Sequence, residues 1–256
     1  MAVRPSSPVL QPLLLAFTFI GECSILLAQA ARRFVVGRRE VAETLDQLAF
    51  VGAASVPIVI LTTFFSGSVL ALYGTELLVR YGASSLVGAT IGLAVCREIA
   101  PVLAGIMVAA RCGSAMAAQI GMMQVTEQVD ALRALRVDPI DYLVVPRVIA
   151  GVVALPMLGL IGVYSGLMGG YVVSLANGVP GGAFVQSVKQ YIMPWDFVGG
   201  LIKTVVFGLI VAIVACQQGL RTRDGAVGVG RVTTNTVVIS MVLIYVSNYF
   251  IADLLY

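Results

Sequence analysis

No histidine occurs anywhere in the 256 residues. That removes the commonest metal ligand and the commonest general base together. Charge is scarce as well: 11% of residues are charged and 59% hydrophobic, where a soluble domain carries about 25% charged residues. With a mean hydropathy of +0.98, the chain is expected to be an integral membrane protein. A net charge of +3 is too small to argue for nucleic acid. Cysteine is limited to Cys23, Cys96, Cys112 and Cys216, scattered through apolar sequence with no CxxC, so each reads as a small buried hydrophobe. Lysine is limited to Lys189 and Lys203. No phosphate-binding GxxxxGK[ST] occurs, and its nearest approach, GGLIKT at 199–204, has Ile202 where glycine is required. GxSxG, HExxH and paired carboxylates in a polar setting are also missing. The chain is therefore not expected to be an enzyme, to bind a metal or to hold a cofactor of its own.

Long hydrophobic runs are what the sequence has. Spans are expected at 48–72, 83–110, 148–175, 197–220 and 232–252, the first bent at Pro57. The stretch 73–82 reads as a polar turn, and the uncharged run 148–188 is split by ANGVPGG into a span and a short outer segment. Residues 10–33 behave differently. Gln11, Thr18, Glu22, Gln29 and Arg33 recur at helical steps and make one polar stripe, which suits a helix lying in the membrane interface. A stripe facing a bundle interior would look similar. Before it, MAVRPSSPVLQP reads as a short tail without a cleavable secretory signal.

Basic residues set the orientation. Loops placed inside hold Arg32, Arg33, Arg38, Arg39, Arg111, Arg133, Arg136, Arg147, Arg221, Arg223 and Arg231. Loops placed outside hold only Arg80 and Lys189. Excess positive charge marks the cytoplasmic side, so 111–147 and 219–231 are cytoplasmic and the last residues lie outside.

The stretch from Arg97 to Arg147 organises the rest. Ala109, Gly113, Ala117 and Gly121 form a ladder of small residues that lets another helix approach closely, and Gly162, Gly166 and Gly170 repeat the device. The sequence then turns polar at TEQVDALRALRVDP, where Val125, Val129, Leu132 and Leu135 share a face off which Glu127, Asp130 and Arg133 lie. Thr126 is the expected N-cap, with Glu127 in the first turn and Asp138-Pro139 as the stop. This short helix, 126–137, either docks on a soluble partner or packs against its own bundle.

Arg97, Glu98 and Lys203 are charges within or near the apolar slab, where ionised groups face a partner or a wet cavity. Neighbours on a helix point about 100° apart, so Arg97 and Glu98 are not expected to face the same neighbour. A Glu98–Lys203 contact between the second and fourth spans is expected, either as a structural ion pair or as part of a substrate path.

The block REIAPVLAGIMVAARCGSAMAAQIGMMQVTEQVDALRALRVDPIDYLVVPR, with LIKTVVFG at 201–208 and GAVGVGRVTTNTVVISMVLI at 225–244, resembles the MlaE/YrbE permeases, membrane subunits of ABC transporters that move lipids with MCE-domain proteins. Gln119 stands where acidic residues are common in that family, and Cys112 where a small residue is common. The resemblance implies one all-α permease domain over 1–256, with an N-terminal interfacial helix, five spans and a short cytoplasmic coupling helix. It implies a homodimer that docks two ATPase subunits, which carry the ATP and Mg, and shares an MCE-protein ring on the outer side. Thr126, Glu127, Gln128, Asp130, Ala131, Leu132, Arg133 and Arg136 would then couple to the ATPase. Lipid would occupy an apolar cavity between protomers, its path including Arg97, Glu98, Lys203, Leu70 and Tyr73, with Arg97 or Lys203 meeting the head group. The rival reading is an ion-coupled secondary transporter with Glu98 as proton site. A bacterial inner membrane is favoured over a plastid envelope because the first residues lack a transit-like composition.

Overall fold

The computed structural model describes residues 10–36 and 41–256, so residues 1–9 of the expected N-terminal tail and the Arg38–Arg39 part of the basic connector lie outside the described residues, while 10–12 of that tail already belong to the first helix. Among the described residues the chain is helical throughout, without strands. In order these are α1 (Leu10–Val36), α2 (Val41–Val51), α3 (Val56–Arg80), α4 (Ser84–Val125), α5 (Gln128–Ala134), α6 (Ile140–Ala176), α7 (Gly181–Tyr191), α8 (Pro194–Leu220) and α9 (Gly225–Leu255). Five helical stretches are long and apolar enough to cross a membrane: α2 with α3, then α4, α6, α8 and α9. This is an all-α integral membrane protein with the expected number of spans.

The span boundaries differ from the expected ones in instructive ways. The bend in the first span falls at Gly52 and the 3₁₀ turn Ala53–Ser55, not at Pro57. Pro57 sits in the first turn of α3, where its missing N–H removes no helical bond. The polar stretch 73–82 is helical to Arg80, which pairs with Glu76 one turn back, and the chain turns only at Gly82 with φ +71°. The second span continues well beyond Ala110 to Val125 because its small-residue ladder packs on α8: Ala109 and Ala117 are fully buried, and a Cβ on Gly113 would lie 3.1 Å from Val211. The fourth span starts at Pro194 and the fifth at Gly225, so most of the expected 221–231 loop is helix.

At the centre of the bundle, α6 is packed along α3 on one side and α8 on the other. Contact with α3 is backbone to backbone; a Cβ on Gly67 would lie 2.1 Å from the Gly166 carbonyl oxygen. Such an approach leaves room for no side chain and gains dispersion energy along its whole length.

α1 is not among the apolar spans. Its Glu22 accepts a hydrogen bond from Gln217 at 2.6 Å and approaches Arg221 at 3.4 Å, both at the C-terminal end of α8. Its Arg33 pairs with Asp138 and Asp141 at the N-terminal start of α6. Two stripe residues separated by about 16 Å of helix thus meet the same side of the bundle. The polar stripe therefore faces the bundle at Glu22 and Arg33, the arrangement its alternative reading allowed; the Gln11 side chain lies outside the described residues.

Candidate functional site

Two irregularities in α4 shape the site. Residues Val95–Ile99 and Ala109–Gly113 form single π-helical turns, each carrying one of the helix's arginines, Arg97 or Arg111. The first has a cause in the sequence: Pro101 stands four residues after Arg97 and has no N–H to give the Arg97 carbonyl. The Lys203 ammonium donates to that carbonyl instead, at 2.9 Å, and to Glu98 Oε1 at 2.6 Å. α8 comes close enough because of Gly200, where a Cβ would lie 2.6 Å from the Cys96 carbonyl oxygen. The expected Glu98–Lys203 contact is present.

The expectation that Arg97 and Glu98 turn to different helices is not met. Arg97 pairs with Asp196 at 2.7 Å, and Asp196 lies on the same α8 as Lys203, two turns away. The looser π turn and two long side chains let adjacent residues grip one partner helix. Asp196 is 2% exposed and its other oxygen accepts from the Met193 N–H at 2.8 Å, capping α8. The Arg97 guanidinium lies 4.2 Å from the centre of the Tyr256 ring. Tyr256 follows the end of α9, and burial pushes its phenol above the usual range against the opposing pull of Arg97, so the hydroxyl stays neutral. Asn248 on α9 completes the cluster by donating to Glu98 Oε2 at 2.7 Å.

Beside this cluster, between α3, α4 and α9, lies a cavity of about 760 Å³. Its wall includes Phe65, Val69, Leu70, Tyr73, Ile99, Val102, Leu103 and Tyr245, with Glu98 and Asn248 at one polar end. Tyr73 lies toward the C-terminal end of α3 and Asn248 toward the C-terminal end of α9, so the cavity occupies the half of the bundle where those ends meet the N-terminal half of α4. Leu70, Tyr73 and Glu98 therefore sit together as expected. Arg97 and Lys203 do not line the cavity; Lys203 has no exposed surface and stands behind Glu98. Sequence reading missed Asn248 and Asp196. Asn248 was detectable as an amide deep in an apolar span, whereas Asp196 in Pro-Trp-Asp reads as an ordinary helix start.

At the C-terminal end of α4, the short helix α5 is shorter than the expected 126–137. Thr126 is not its N-cap: the hydroxyl donates backward to the Met122 carbonyl at 2.9 Å and closes α4. Glu127 takes the cap position in a left-handed conformation, φ +59°. Val129 is fully buried and Leu132 half-buried, so this face packs on the protein; Leu135 is 75% exposed because the helix has ended. Gln128, Asp130, Ala131, Arg133 and Arg136 remain exposed, with Arg133 bonded to Asp130 at 2.7 Å. No cluster of histidine, cysteine, aspartate and glutamate capable of holding a metal occurs among the described residues.

Comparison with known proteins agrees with this arrangement. The chain is 48% identical over 211 residues to a probable ABC transporter permease protein of Rickettsia prowazekii, covering 82% of each chain. It is 41% identical over 247 residues to a probable ABC transporter permease protein of Synechocystis, covering 96% of this chain and 91% of the relative. It is 38% identical over 230 residues to the chloroplastic protein trigalactosyldiacylglycerol 1 of Arabidopsis thaliana, covering 90% of this chain and 66% of the relative. The profile of the family described as permease MlaE matches residues 44–254, and the chain belongs to that family.

Proposed function

We propose that this chain is the membrane subunit of an ABC transporter that moves phospholipid or a related lipid, with ATP hydrolysed on a separate subunit. The observation that carries the reading is a shared helix. Glu98, Ile99, Val102 and Leu103 of the cavity lie on α4, and the same helix runs without a break to the exposed α5 on the cytoplasmic side. A push on α5 by an ATPase would be transmitted along α4 to the cavity wall. The cavity would alternately accept and expel an acyl chain, and the chain would contribute differential affinity without covalent chemistry.

Volume and lining favour a lipid, since the cavity falls within the range of pre-formed ligand sites and is apolar except at one end. One relative carries a diacylglycerol galactolipid in its name. The wider assembly follows the family: a homodimer with two ATPase subunits and an MCE-domain ring on the outer side, in a bacterial inner membrane. The exposed faces of α3 and α9 beside the cavity are the apolar surfaces such a dimer would cover.

Reconstitution in proteoliposomes tests this. With its ATPase and MCE partner the chain should transfer labelled phospholipid only when ATP is hydrolysed. Transfer by the chain alone under a proton gradient would replace this reading with the ion-coupled one, in which Glu98 carries the proton.

A further inference from the structure

The geometry points to a head-group preference: the cavity selects lipids whose head offers N–H or O–H donors over lipids whose head offers only acceptors. This rests on the lipid-permease reading and specifies its substrate. Three observations at the polar end carry it. First, among the described residues Glu98 is the sole charged side chain lining the cavity, and it is 42% exposed, while the Lys203 behind it has no exposed surface. Second, Arg97 keeps 36% of its side-chain surface but does not line the cavity; it is paired with Asp196 and stacked on the Tyr256 ring. Neither cation forms part of the cavity wall.

Third, the Asn248 amide orients that carboxylate. Its Nδ2 donates to Glu98 Oε2, and its Oδ1 is buried without any hydrogen-bond partner. Glu98 fixes this orientation, because the flipped amide would set Oδ1 against the carboxylate. The polar end therefore presents the Glu98 carboxylate, with lone pairs left over, while Asn248 Oδ1 stays buried beneath the surface. A carboxylate facing an apolar cavity gains most from a ligand that brings it a donor. An ethanolamine ammonium or a sugar hydroxyl supplies it. A choline head carries positive charge without an N–H, and phosphatidic acid brings a phosphate that the exposed Glu98 repels.

The test uses the full chain assembled with its partner subunits, equilibrated with vesicles holding equal amounts of phosphatidylethanolamine, phosphatidylcholine and phosphatidic acid of identical acyl chains. Retained lipid is quantified by mass spectrometry. Phosphatidylethanolamine should exceed phosphatidylcholine by roughly tenfold, the worth of one hydrogen bond to a charged group. Glu98→Gln should bring the ratio close to one. Since that change also disturbs Lys203, the double variant Glu98→Gln/Lys203→Met, which leaves no unpaired charge, should give the same loss. Asn248→Leu should lower the ratio without inverting it. A monohexosyl lipid added as a fourth species separates the donors: retention with phosphatidylethanolamine admits hydroxyls, and exclusion restricts the preference to an ammonium. Equal retention of the ethanolamine and choline lipids, or enrichment of phosphatidic acid, overturns the inference alone. Retention of no lipid at all overturns the permease reading and the inference with it.

Discussion

Lys203 keeps a charge with no exposed surface because its ammonium meets Glu98, the Arg97 carbonyl and the face of Tyr256 at 5.6 Å. Removing one member of a buried pair is far worse than removing both, since the remaining charge is left without compensation. Glu98→Gln, which strands the fully buried ammonium, should therefore destabilise the protein by about 3 kcal/mol, while Glu98→Gln/Lys203→Met should cost clearly less; thermal unfolding in detergent checks this, and equal losses would refute it. Arg147 is the opposite case. It is 4% exposed and has no ion pair among the described residues; Nη1 donates to the Leu143 carbonyl, Nη2 donates to Gln119 Oε1 at 3.3 Å, and Nε has no partner. Gln119→Glu puts a carboxylate where the amide already reaches and should stabilise by about 1–2 kcal/mol, read as a rise in Tm; a fall in Tm would show that desolvation of the new acid wins. Charges in an apolar run were legible from sequence, which is why Arg97, Glu98 and Lys203 stood out. The Glu98–Lys203 pairing was legible as well, but the partner of Arg97 was not, because Asp196 does double duty as a helix cap, and the close approach of the lysine depends on Gly200, which only the packing explains.

At the scale of the element, hydropathy located all five spans but misplaced their ends. A helix stops where a backbone conformation forces it to, and polar residues alone do not. Residues 73–80 and 225–231 stay helical despite their polarity, and the turns fall at Gly82 and at Asp224–Gly225, where φ is positive. The same rule governs α5. Its end is a Schellman closure, with the Val137 N–H bonded to the Leu132 carbonyl and the Arg136 N–H to the Arg133 carbonyl, both at 3.0 Å. Arg136 occupies the left-handed position with φ +60°, where glycine is the usual residue. Holding an arginine there costs about 1 kcal/mol, a cost borne by a side chain that projects from the exposed end of the proposed lever. Arg136→Gly should slow hydrogen exchange at residues 128–137 while weakening capture of the ATPase. Faster exchange would mean that the arginine itself holds the turn, and unchanged capture would mean that it does not touch the motor.

The whole molecule places its two candidate sites at opposite ends of one rod. The cavity draws on the outer half of α4 and the lever hangs from its inner end, with α6 and α8 clamping the rod between them. Close backbone packing makes such a rod stiff, so displacement at one end is felt at the other instead of being absorbed. The consequence is a pattern that two substitutions can expose. Leu70→Trp fills the cavity from α3 and touches nothing cytoplasmic; it should cut lipid transfer at least tenfold while the ATPase still co-purifies. Arg133→Glu reverses an exposed charge on α5, far from the cavity, and should release the ATPase while the chain still retains lipid. Lipid transfer is lost in both, but binding of lipid and binding of motor are lost separately. Were Leu70→Trp to shed the ATPase, or Arg133→Glu to empty the cavity, the two ends would form a single folding unit whose integrity either change destroys, and α4 could not be the element that carries motion between two independent sites.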